Sequence, residues 1–230
     1  MGYLKWNHNS RLFFDPTYPD IEFDTFNHRT EWKTFYGDLT KAISPNAPDP
    51  RENSGVLHMW VDSDHAGDKM TRRSRTGYFI FLNTALINWL SKKQATIEGS
   101  VFGAEFVAIK AGVEALRGIR YKLRMMGETL TGTTYVYGNN MSVIYNTSLP
   151  ELTLKKKSNS ICYHAMHEEV ASGECLKTHY KTRDNYSDMM TKVLYGQKKQ
   201  DNVSCILYDT WDHEDGPETA KLIVLPDYMT

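Results

Sequence analysis

The chain has 230 residues, a formal net charge of −1 and a hydrophobic content of 40%. That length is enough for one large domain with a well-filled core. The sequence has no apolar run of about 18 residues and no apolar signal-peptide core at its N-terminus, so it predicts neither a membrane span nor a secreted protein. The three cysteines, Cys162, Cys175 and Cys205, form no CxxC pair, which argues against structural zinc and for a reducing, intracellular compartment.

Charge is distributed unevenly along the chain. Residues 1–55 carry 6 basic and 8 acidic side chains, residues 56–200 carry 20 and 13, and residues 201–230 carry 1 and 7. A basic centre between acidic flanks is typical of a polyanion-binding domain, although an unevenly charged, solvated surface gives the same pattern. A proline cluster precedes Arg51, so we expect a connecting segment (1–55), a domain (56–200) and an acidic tail (201–230).

Hydrophobic periodicity predicts the elements in order. In the connecting segment, a short helix is expected over 31–43. Residues 56–60 read as a strand, and residues 76–82 and 85–91 read as a hairpin around Asn83 and Thr84. Residues 101–126 repeat apolar positions every three or four residues, which indicates a long helix packed on a sheet.

The second half of the domain alternates strands and helices. Strands are expected at 134–137 and 175–180, and helices at 141–146, at 159–172 and around 188–194. The order β-β-β-α-β-α-α-β-α predicts an α/β fold. Its five-stranded mixed sheet would combine a three-stranded antiparallel unit with two parallel strands, with helices on both faces.

Isolated polar residues stand at comparable places in these elements. Asp62 follows the first strand, Glu105 lies on the apolar row of the long helix, Asp188 lies in the last helix, and Asn139 follows the fourth strand. Carboxylates that meet at neighbouring strand ends suit Mg²⁺, which prefers oxygen ligands. The alternatives are an ordinary Asp/Gly-rich turn at Asp62 and a Glu105 that reaches water from the rim of the buried face.

Several short motifs occur in a recognisable order. They are VDSDHAGD at 61–68, SKKQ at 91–94, GAEF at 103–106, YGNNMS at 137–142, YH at 163–164 and DMMTK at 188–192. Together they resemble the ribonuclease H domain that follows the reverse transcriptase in the polyprotein of copia-type LTR retrotransposons. The corresponding family motifs are DADWAGD, SKKQ, TEAEY, CDNQSA, RYHFIRE and ADILTK.

The resemblance implies a ribonuclease H-like fold and hydrolysis of the RNA strand of RNA–DNA hybrids with two Mg²⁺ ions, or Mn²⁺ in their place. Asp62, Glu105 and Asp188 match the family's catalytic, metal-binding acids, and Asn139 stands where a fourth catalytic acid is expected. An amide keeps the shape of aspartate but lacks its charge, so we expect a weakened metal site and slow or absent cleavage.

The resemblance also implies a nucleic-acid-binding surface, with a solvated face as the alternative for each basic residue. The expected contacts are Arg73, Arg75, Lys92, Lys93, Asn140, Ser142 and Lys156. The implied partners are an RNA–DNA hybrid or other nucleic acid and the reverse transcriptase of the same polyprotein, in the cytoplasm, the nucleus or virus-like particles. The alternatives are a non-catalytic hybrid- or RNA-binding module and a structural remnant of the polyprotein.

Overall fold

The computed structural model describes residues 11–12, 14–22, 25–26, 31–51, 54–130, 132–154, 160–194, 202 and 206–208. Its strands are β1 (Arg11–Leu12), β2 (Ser54–Gly55), β3 (Leu57–Asp64), β4 (Arg75–Leu82), β5 (Ala85–Lys93), β6 (Thr129–Leu130), β7 (Thr134–Gly138), β8 (Cys175–His179) and β9 (Leu207–Tyr208). Its helices are α1 (Trp32–Tyr36), α2 (Val101–Met125), α3 (Met141–Ser148), α4 (Ser160–Ala171) and α5 (Asp188–Thr191), and a 3₁₀ turn spans Thr182–Asp184.

The central sheet has the order β5-β4-β3-β7-β8. Strand β4 runs antiparallel to β3 and β5, whereas β7 is parallel to β3 and β8 is parallel to β7. The hairpin between β4 and β5 turns at Asn83, whose φ of 55° lies in the left-handed region that asparagine tolerates. The predicted mixed sheet, an antiparallel three-stranded unit plus two parallel strands, is therefore confirmed.

Three helices cover one face of this sheet. Phe106, Ile109 and Val113 of α2 pack with Met59 of β3 in the larger hydrophobic core, to which α3 and α4 also contribute. Ser100 is the N-cap of helix α2, and its hydroxyl accepts a hydrogen bond from Gly103 N at 3.1 Å. Alternate residues of β3 face opposite layers, since Met59 packs in this core and Trp60 packs in the core on the other face. Strand β3 is therefore buried on both faces.

The opposite face of the sheet is covered by shorter segments. Ile21 and Phe26 from the connecting segment pack there with Tyr186 and Ile206 against Trp60 and its neighbours. Helix α5 lies on this side, where Met189 and Met190 join the same core. Helices therefore lie on both faces, as predicted, but among the described residues the long ones share one face.

Two predicted helices are shorter than their sequence patterns suggested. The helix expected over 31–43 is reduced to α1, because Gly37 adopts a φ of 67° and ends it. The last helix ends at Thr191 rather than near Leu194, because Lys192 is extended at φ −123° and ψ 154°. Both patterns contain apolar residues that continue beyond the helix, so periodicity alone did not reveal these ends.

Strands β1 and β9, which are distant in sequence, form a small antiparallel pairing of their own. Most of the acidic tail predicted for residues 201–230 lies outside the described residues, and so does Lys156. Within the described part of the chain, no helix has the length and apolar character needed to cross a membrane.

Candidate active site at the ends of the central strands

Sheet register brings Asp62 and Asn139 together. Val61 of β3 pairs in parallel with Gly138, the last residue of β7, so the next residue of each strand lies at the same edge. The Nδ2 atom of Asn139 donates a hydrogen bond to Oδ1 of Asp62 at 2.6 Å. Asp62 is fully buried, and the Asn139 amide therefore supplies one of the partners that a buried carboxylate needs.

Thr191 of helix α5 and Lys192, which follows it, are further partners of Asp62. The hydroxyl of Thr191 donates to Asp62 Oδ2. The Lys192 ammonium lies 3.2 Å from the same oxygen and 2.7 Å from Oδ1 of Asp188, which is itself 2% exposed. One lysine thus bridges two buried carboxylates.

Close packing at Gly77 allows α5 to approach the sheet. Gly77 lies opposite Asp62 in the register of β3 and β4. A Cβ atom at this position would stand 2.6 Å from both Met190 Cβ and Thr191 Cγ2, so only glycine fits without a shift. Gly77 is therefore part of what places Thr191 against Asp62.

Asn185 fastens the loop that leads into α5. Its Nδ2 donates to the carbonyl of Val61 at 3.1 Å, and its Oδ1 accepts from Ser187 N at 3.0 Å and from Ser187 Oγ at 2.5 Å. Asn185 and Ser187 are both fully buried. Val61, the neighbour of Asp62 on β3, is thus hydrogen-bonded to the segment that leads to Asp188.

Glu105 approaches the same site from α2 and is 4% exposed. Burial, and next the nearby Asp62 carboxylate, raise the pKa of Glu105 to about 8. A carboxyl group with that pKa is mostly protonated at neutral pH. Glu105 therefore adds little negative charge to the site at pH 7.

Burial also raises the pKa of Asp62, and the Lys192 ammonium and the Thr191 hydroxyl oppose that rise. For Lys192, burial lowers the pKa, but the Asp62 and Asp188 carboxylates outweigh it and the pKa is raised overall. The lysine is therefore held in its charged form, and it compensates charge that a divalent ion would otherwise compensate.

The arrangement does not fit a two-ion magnesium site. Both oxygens of Asp62 face donors of the chain itself, namely Asn139, Thr191 and Lys192. Across the described residues, no group of three or more histidine, cysteine, aspartate or glutamate side chains is arranged to hold a metal ion. The Oδ1 atom of Asn139 is buried and has no hydrogen-bond partner among the described residues. It is therefore an available oxygen ligand without a cluster of acids around it.

The predicted nucleic-acid contacts lie in two places. Arg73, Lys92 and Lys93 are exposed in and before the β4–β5 hairpin, and Lys93 forms an ion pair with Asp68. The Nη1 atom of Arg75 donates to Ser91 Oγ at 3.2 Å, and Ser91 Oγ donates in turn to the carbonyl of Met190. The hairpin is thereby joined to α5.

The remaining predicted contacts lie at the start of α3, next to Asn139. Ser142 is exposed, and Asn140 caps the helix by accepting a hydrogen bond from Val143 N at 3.2 Å. The capping bond commits the side-chain oxygen of Asn140 to the helix. Lys156, the last of the predicted contacts, lies outside the described residues.

Sequence reasoning did not assign roles to Thr191, Lys192 or Asn185. Thr191 and Lys192 belong to the closing motif, and the spacing of four residues from Asp188 to Lys192 is a signal for a helical ion pair. Asn185, two residues before Ser187, has the pattern of a side chain that caps a turn. What sequence spacing could not indicate is that all three converge on β3.

Sequence comparison relates the chain to transposon polyproteins. It is 32% identical over 142 residues to a retrovirus-related Pol polyprotein from transposon RE1 of Arabidopsis thaliana, which covers 62% of this chain and 10% of the polyprotein. It is 29% identical over 140 residues to the corresponding polyprotein from transposon TNT 1-94 of Nicotiana tabacum, with 60% and 10% covered. The chain thus spans about a tenth of the length of these curated relatives, and no protein-family model matches it.

Among solved structures, LC11-RNase H1, isolated from compost by a metagenomic approach, aligns with a TM-score of 0.47 at 14% identity, over 59% of this chain and 92% of that one. The N-terminal RNase H domain of rv2228c from Mycobacterium tuberculosis aligns with a TM-score of 0.45 at 12% identity, over 60% and 91%.

The ordered motifs, the sheet order with its single antiparallel strand β4, and the Pol polyprotein relatives agree with one another. The chain is similar to a segment of retrovirus-related Pol polyproteins from plant transposons. Its five-stranded mixed sheet with helices on both faces is the α/β architecture that the resemblance to a ribonuclease H domain implied.

Proposed function

We propose that this chain is a retroelement ribonuclease H-type domain that binds RNA–DNA hybrids and hydrolyses the RNA strand slowly or not at all. The observation that carries the proposal is the hydrogen bond from Asn139 Nδ2 to Asp62 Oδ1 at 2.6 Å. An aspartate in place of Asn139 would bring a second negative charge to this edge of the sheet, whereas the amide brings a donor. The site therefore keeps its shape and loses charge.

Nucleic acid is the substrate class that the surface supports. Lys92 and Lys93 extend from the hairpin whose other strand carries Arg75, and Ser91 links that hairpin to α5 through Met190. Basic side chains on an exposed hairpin suit a phosphate backbone, which gives affinity without sequence choice. An RNA–DNA hybrid is the proposed target, with discrimination through the 2′-hydroxyl groups of its RNA strand.

The expected loss of activity follows from electrostatics. Ribonuclease H-like folds generally work with divalent metals, whereas both oxygens of Asp62 here already accept hydrogen bonds from the chain. If the charge missing at Asn139 removes about 3–5 kcal/mol of transition-state stabilisation, the rate falls roughly 10²- to 10⁴-fold. Lys192 weakens the site further for any cation, because it already neutralises part of the charge of Asp62 and Asp188.

A non-catalytic hybrid- or RNA-binding module is the second candidate, and the Lys192 bridge favours it. A site whose acids are paired with a lysine needs no metal to be stable. In that case hybrid binding is independent of Mg²⁺, and cleavage stays absent even when an aspartate replaces Asn139.

The experiment incubates the purified chain with an end-labelled RNA–DNA hybrid, single-stranded RNA and double-stranded DNA, with Mg²⁺ or Mn²⁺ present. We expect binding to the hybrid, weaker at high salt, and cleavage that is slow and confined to the RNA strand. No binding to the hybrid above that to double-stranded DNA would refute the proposal. Binding unaffected by Mg²⁺, with no cleavage by the wild type or by Asn139→Asp, would select the non-catalytic module.

The flanking segments extend the proposal. We propose that residues 1–55 are the connection that follows a reverse transcriptase in the parent polyprotein, and that residues 201–230 form an acidic tail beyond the domain. The proposed setting is intracellular, in the cytoplasm, the nucleus or virus-like particles. Co-purification with a reverse transcriptase segment of the same element tests the partnership.

A further inference from the structure

The Lys192 ammonium is placed between the two acids of the site. It lies 2.7 Å from Asp188 Oδ1 and 3.2 Å from Asp62 Oδ2, and the side chains of the two acids are 3% and 0% exposed. Two carboxylates that share one neighbourhood and are excluded from water repel each other strongly unless a cation lies between them. Here the cation is part of the chain.

Both oxygens of Asp62 also accept hydrogen bonds from other residues of the chain. Asn139 occupies Oδ1, and the Thr191 hydroxyl joins Lys192 at Oδ2. A metal ion that bound Asp62 through Oδ2 would have to replace one of the two donors there, because each carboxylate oxygen has two lone-pair sites. The lysine is the one that can leave, because its side chain is 35% exposed whereas Thr191 is 6% exposed.

We propose that Lys192 is the resident counter-cation of the Asp62–Asp188 pair, so that the domain folds and keeps its site closed without a divalent ion, and that a divalent ion binds only by displacing Lys192. The inference rests on the proposed function for its biological meaning. Its test uses the protein without nucleic acid, so it fails independently of hybrid binding or cleavage.

The lysine is well suited to this role. It follows α5 directly, and its spacing of four residues from Asp188 places the two side chains on one side of the last turn. The packing of α5 on Gly77 and the hydrogen bond from Thr191 hold the backbone of Lys192 in place, so that only its side chain needs to move. Displacement would leave the ammonium in solvent at the mouth of the site.

The experiment measures the melting temperature of the free protein in EDTA, in millimolar Mg²⁺ and in millimolar Mn²⁺. The variants are Lys192→Met and a matched control, Lys110→Met. Lys110 also pairs with an acid four residues away, Glu114, at 2.8 Å, but on the surface of α2.

In EDTA, we expect Lys192→Met to lower the Tm by roughly 5–10 °C, because it removes the only ammonium group that the described residues place between the two buried carboxylates. Mg²⁺ or Mn²⁺ should restore most of that loss. The wild type and Lys110→Met should respond to neither ion, and Lys110→Met should melt within about 2 °C of the wild type.

Two outcomes overturn the proposal. One is a Lys192→Met protein as stable in EDTA as the wild type, and the other is a wild type that gains as much Tm from divalent ions as the variant does. If Lys192→Met does not fold, the melting temperature of the wild type is the test. A rise in its Tm of more than about 3 °C in millimolar Mg²⁺ overturns the proposal, whereas a smaller rise or none supports it.

Discussion

The amide nitrogen of Asn139 donates a hydrogen bond to Oδ1 of Asp62, and the amide oxygen of Asn139 is buried without a hydrogen-bond partner in the described part of the chain. Exchange of the amide nitrogen and oxygen would place two oxygens 2.6 Å apart, so this orientation is the favourable one. The site therefore contains a donor where the resemblance leads one to expect an acid. Asp62, which periodicity alone placed in a possible turn, is the residue on which Asn139, Thr191 and Lys192 converge.

The first prediction concerns the close approach of α5 to the sheet at Gly77. Gly77→Ala would place a Cβ within 2.6 Å of Met190 and Thr191 side-chain atoms and 3.1 Å from the Met190 carbonyl carbon. We expect a loss of about 1–3 kcal/mol in the free energy of unfolding, measured by urea denaturation. The control is Gly118→Ala in α2, where no atom stands within 4 Å of the added Cβ and a gain of roughly 0.5–1 kcal/mol is expected. Equal effects of the two substitutions would argue against a packing role for Gly77.

The second prediction concerns the pH dependence that Glu105 creates. Its pKa is about 8 in the folded protein and 4.5 ordinarily. Between those values the unfolded chain has an ionised Glu105 and the folded protein a protonated one, so the free energy of unfolding falls as the pH rises. The decrease in the free energy of unfolding caused by Glu105 amounts to at most about 5 kcal/mol, and it is complete above pH 8.

Glu105→Gln removes this titration. In metal-free buffer, its free energy of unfolding should fall less than that of the wild type when the pH is raised from about 5 to about 9. Glu114→Gln, a substitution on the exposed side of α2, serves as the control and should follow the wild type. Parallel pH profiles for Glu105→Gln and the wild type would contradict the burial of an acidic Glu105.

The third prediction concerns acid destabilisation by buried histidines. His58 stacks on Phe81 with ring centroids 4.9 Å apart and donates through Nε2 to the Asn83 carbonyl at 2.8 Å. Burial lowers the pKa of His58 to about 4, and His167 is lowered to about 4 for the same reason. The unfolded chain takes up these protons near pH 6.5, so the stability present above that pH is lost as the pH falls towards 4.

Each histidine should contribute about 2 kcal/mol to the loss of stability between pH 7 and pH 5. His58→Gln loses the ring stacking and is expected to be less stable than the wild type at pH 7. Between pH 7 and pH 5, however, its free energy of unfolding should fall by about 2 kcal/mol less than that of the wild type. Urea denaturation at both pH values measures the difference. An unchanged acid loss in His58→Gln would show that the residue does not stay neutral in the folded protein.

The fourth prediction concerns a buried ionic network between α2 and the start of β8. Glu174 accepts hydrogen bonds from Arg120 Nε at 2.6 Å and Arg124 Nη2 at 2.8 Å, and Arg120 also donates to Thr134 Oγ1 at 2.8 Å. Removal of the carboxylate leaves a buried guanidinium without its counter-ion. Glu174→Ala should therefore lower the free energy of unfolding by about 3–5 kcal/mol.

The matched control is Glu114→Ala, which removes the acid of the exposed pair with Lys110. Its expected cost is about 0–0.5 kcal/mol, because solvent screens such pairs. Denaturant midpoints of the two variants give the comparison. Costs of similar size would mean that the Glu174 network contributes no more than a surface ion pair.

The order of strands and helices was predictable because the buried faces of β3, β4 and α2 leave strong periodic patterns in the sequence. The ends of elements were less predictable. Helix α1 ends early because Gly37 takes a positive φ, and apolar residues continue after it, so the pattern extends beyond the helix. Ile21 and Ile206 cover the face of the sheet opposite the long helices. Because these residues come from segments that are distant in sequence, no local pattern predicts that they pack together.

The meeting of Asp62, Asn139 and Asp188 could be expected from motif order and from strands that end at one edge. The direction of the Asn139 amide could not, because it depends on side-chain geometry between residues 77 positions apart. The pairing of Lys192 with Asp62 likewise requires α5 to pack on Gly77, a contact made in three dimensions. Sequence therefore indicated which residues meet, and the structure shows how their charges are balanced.

Cleavage of an RNA–DNA hybrid in Mn²⁺ tests most directly whether Asn139 impairs the site. The three proteins to compare are the wild type, the single variant Asn139→Asp, and a double variant that carries both Asn139→Asp and Asp62→Asn. The added aspartate replaces a donor by a charge beside Asp62, so Asn139→Asp should cut the RNA strand roughly 10²- to 10⁴-fold faster than the wild type. The double variant should return to the wild-type rate, which assigns the activity to this site. A wild type as fast as Asn139→Asp would contradict the claim that Asn139 impairs the site.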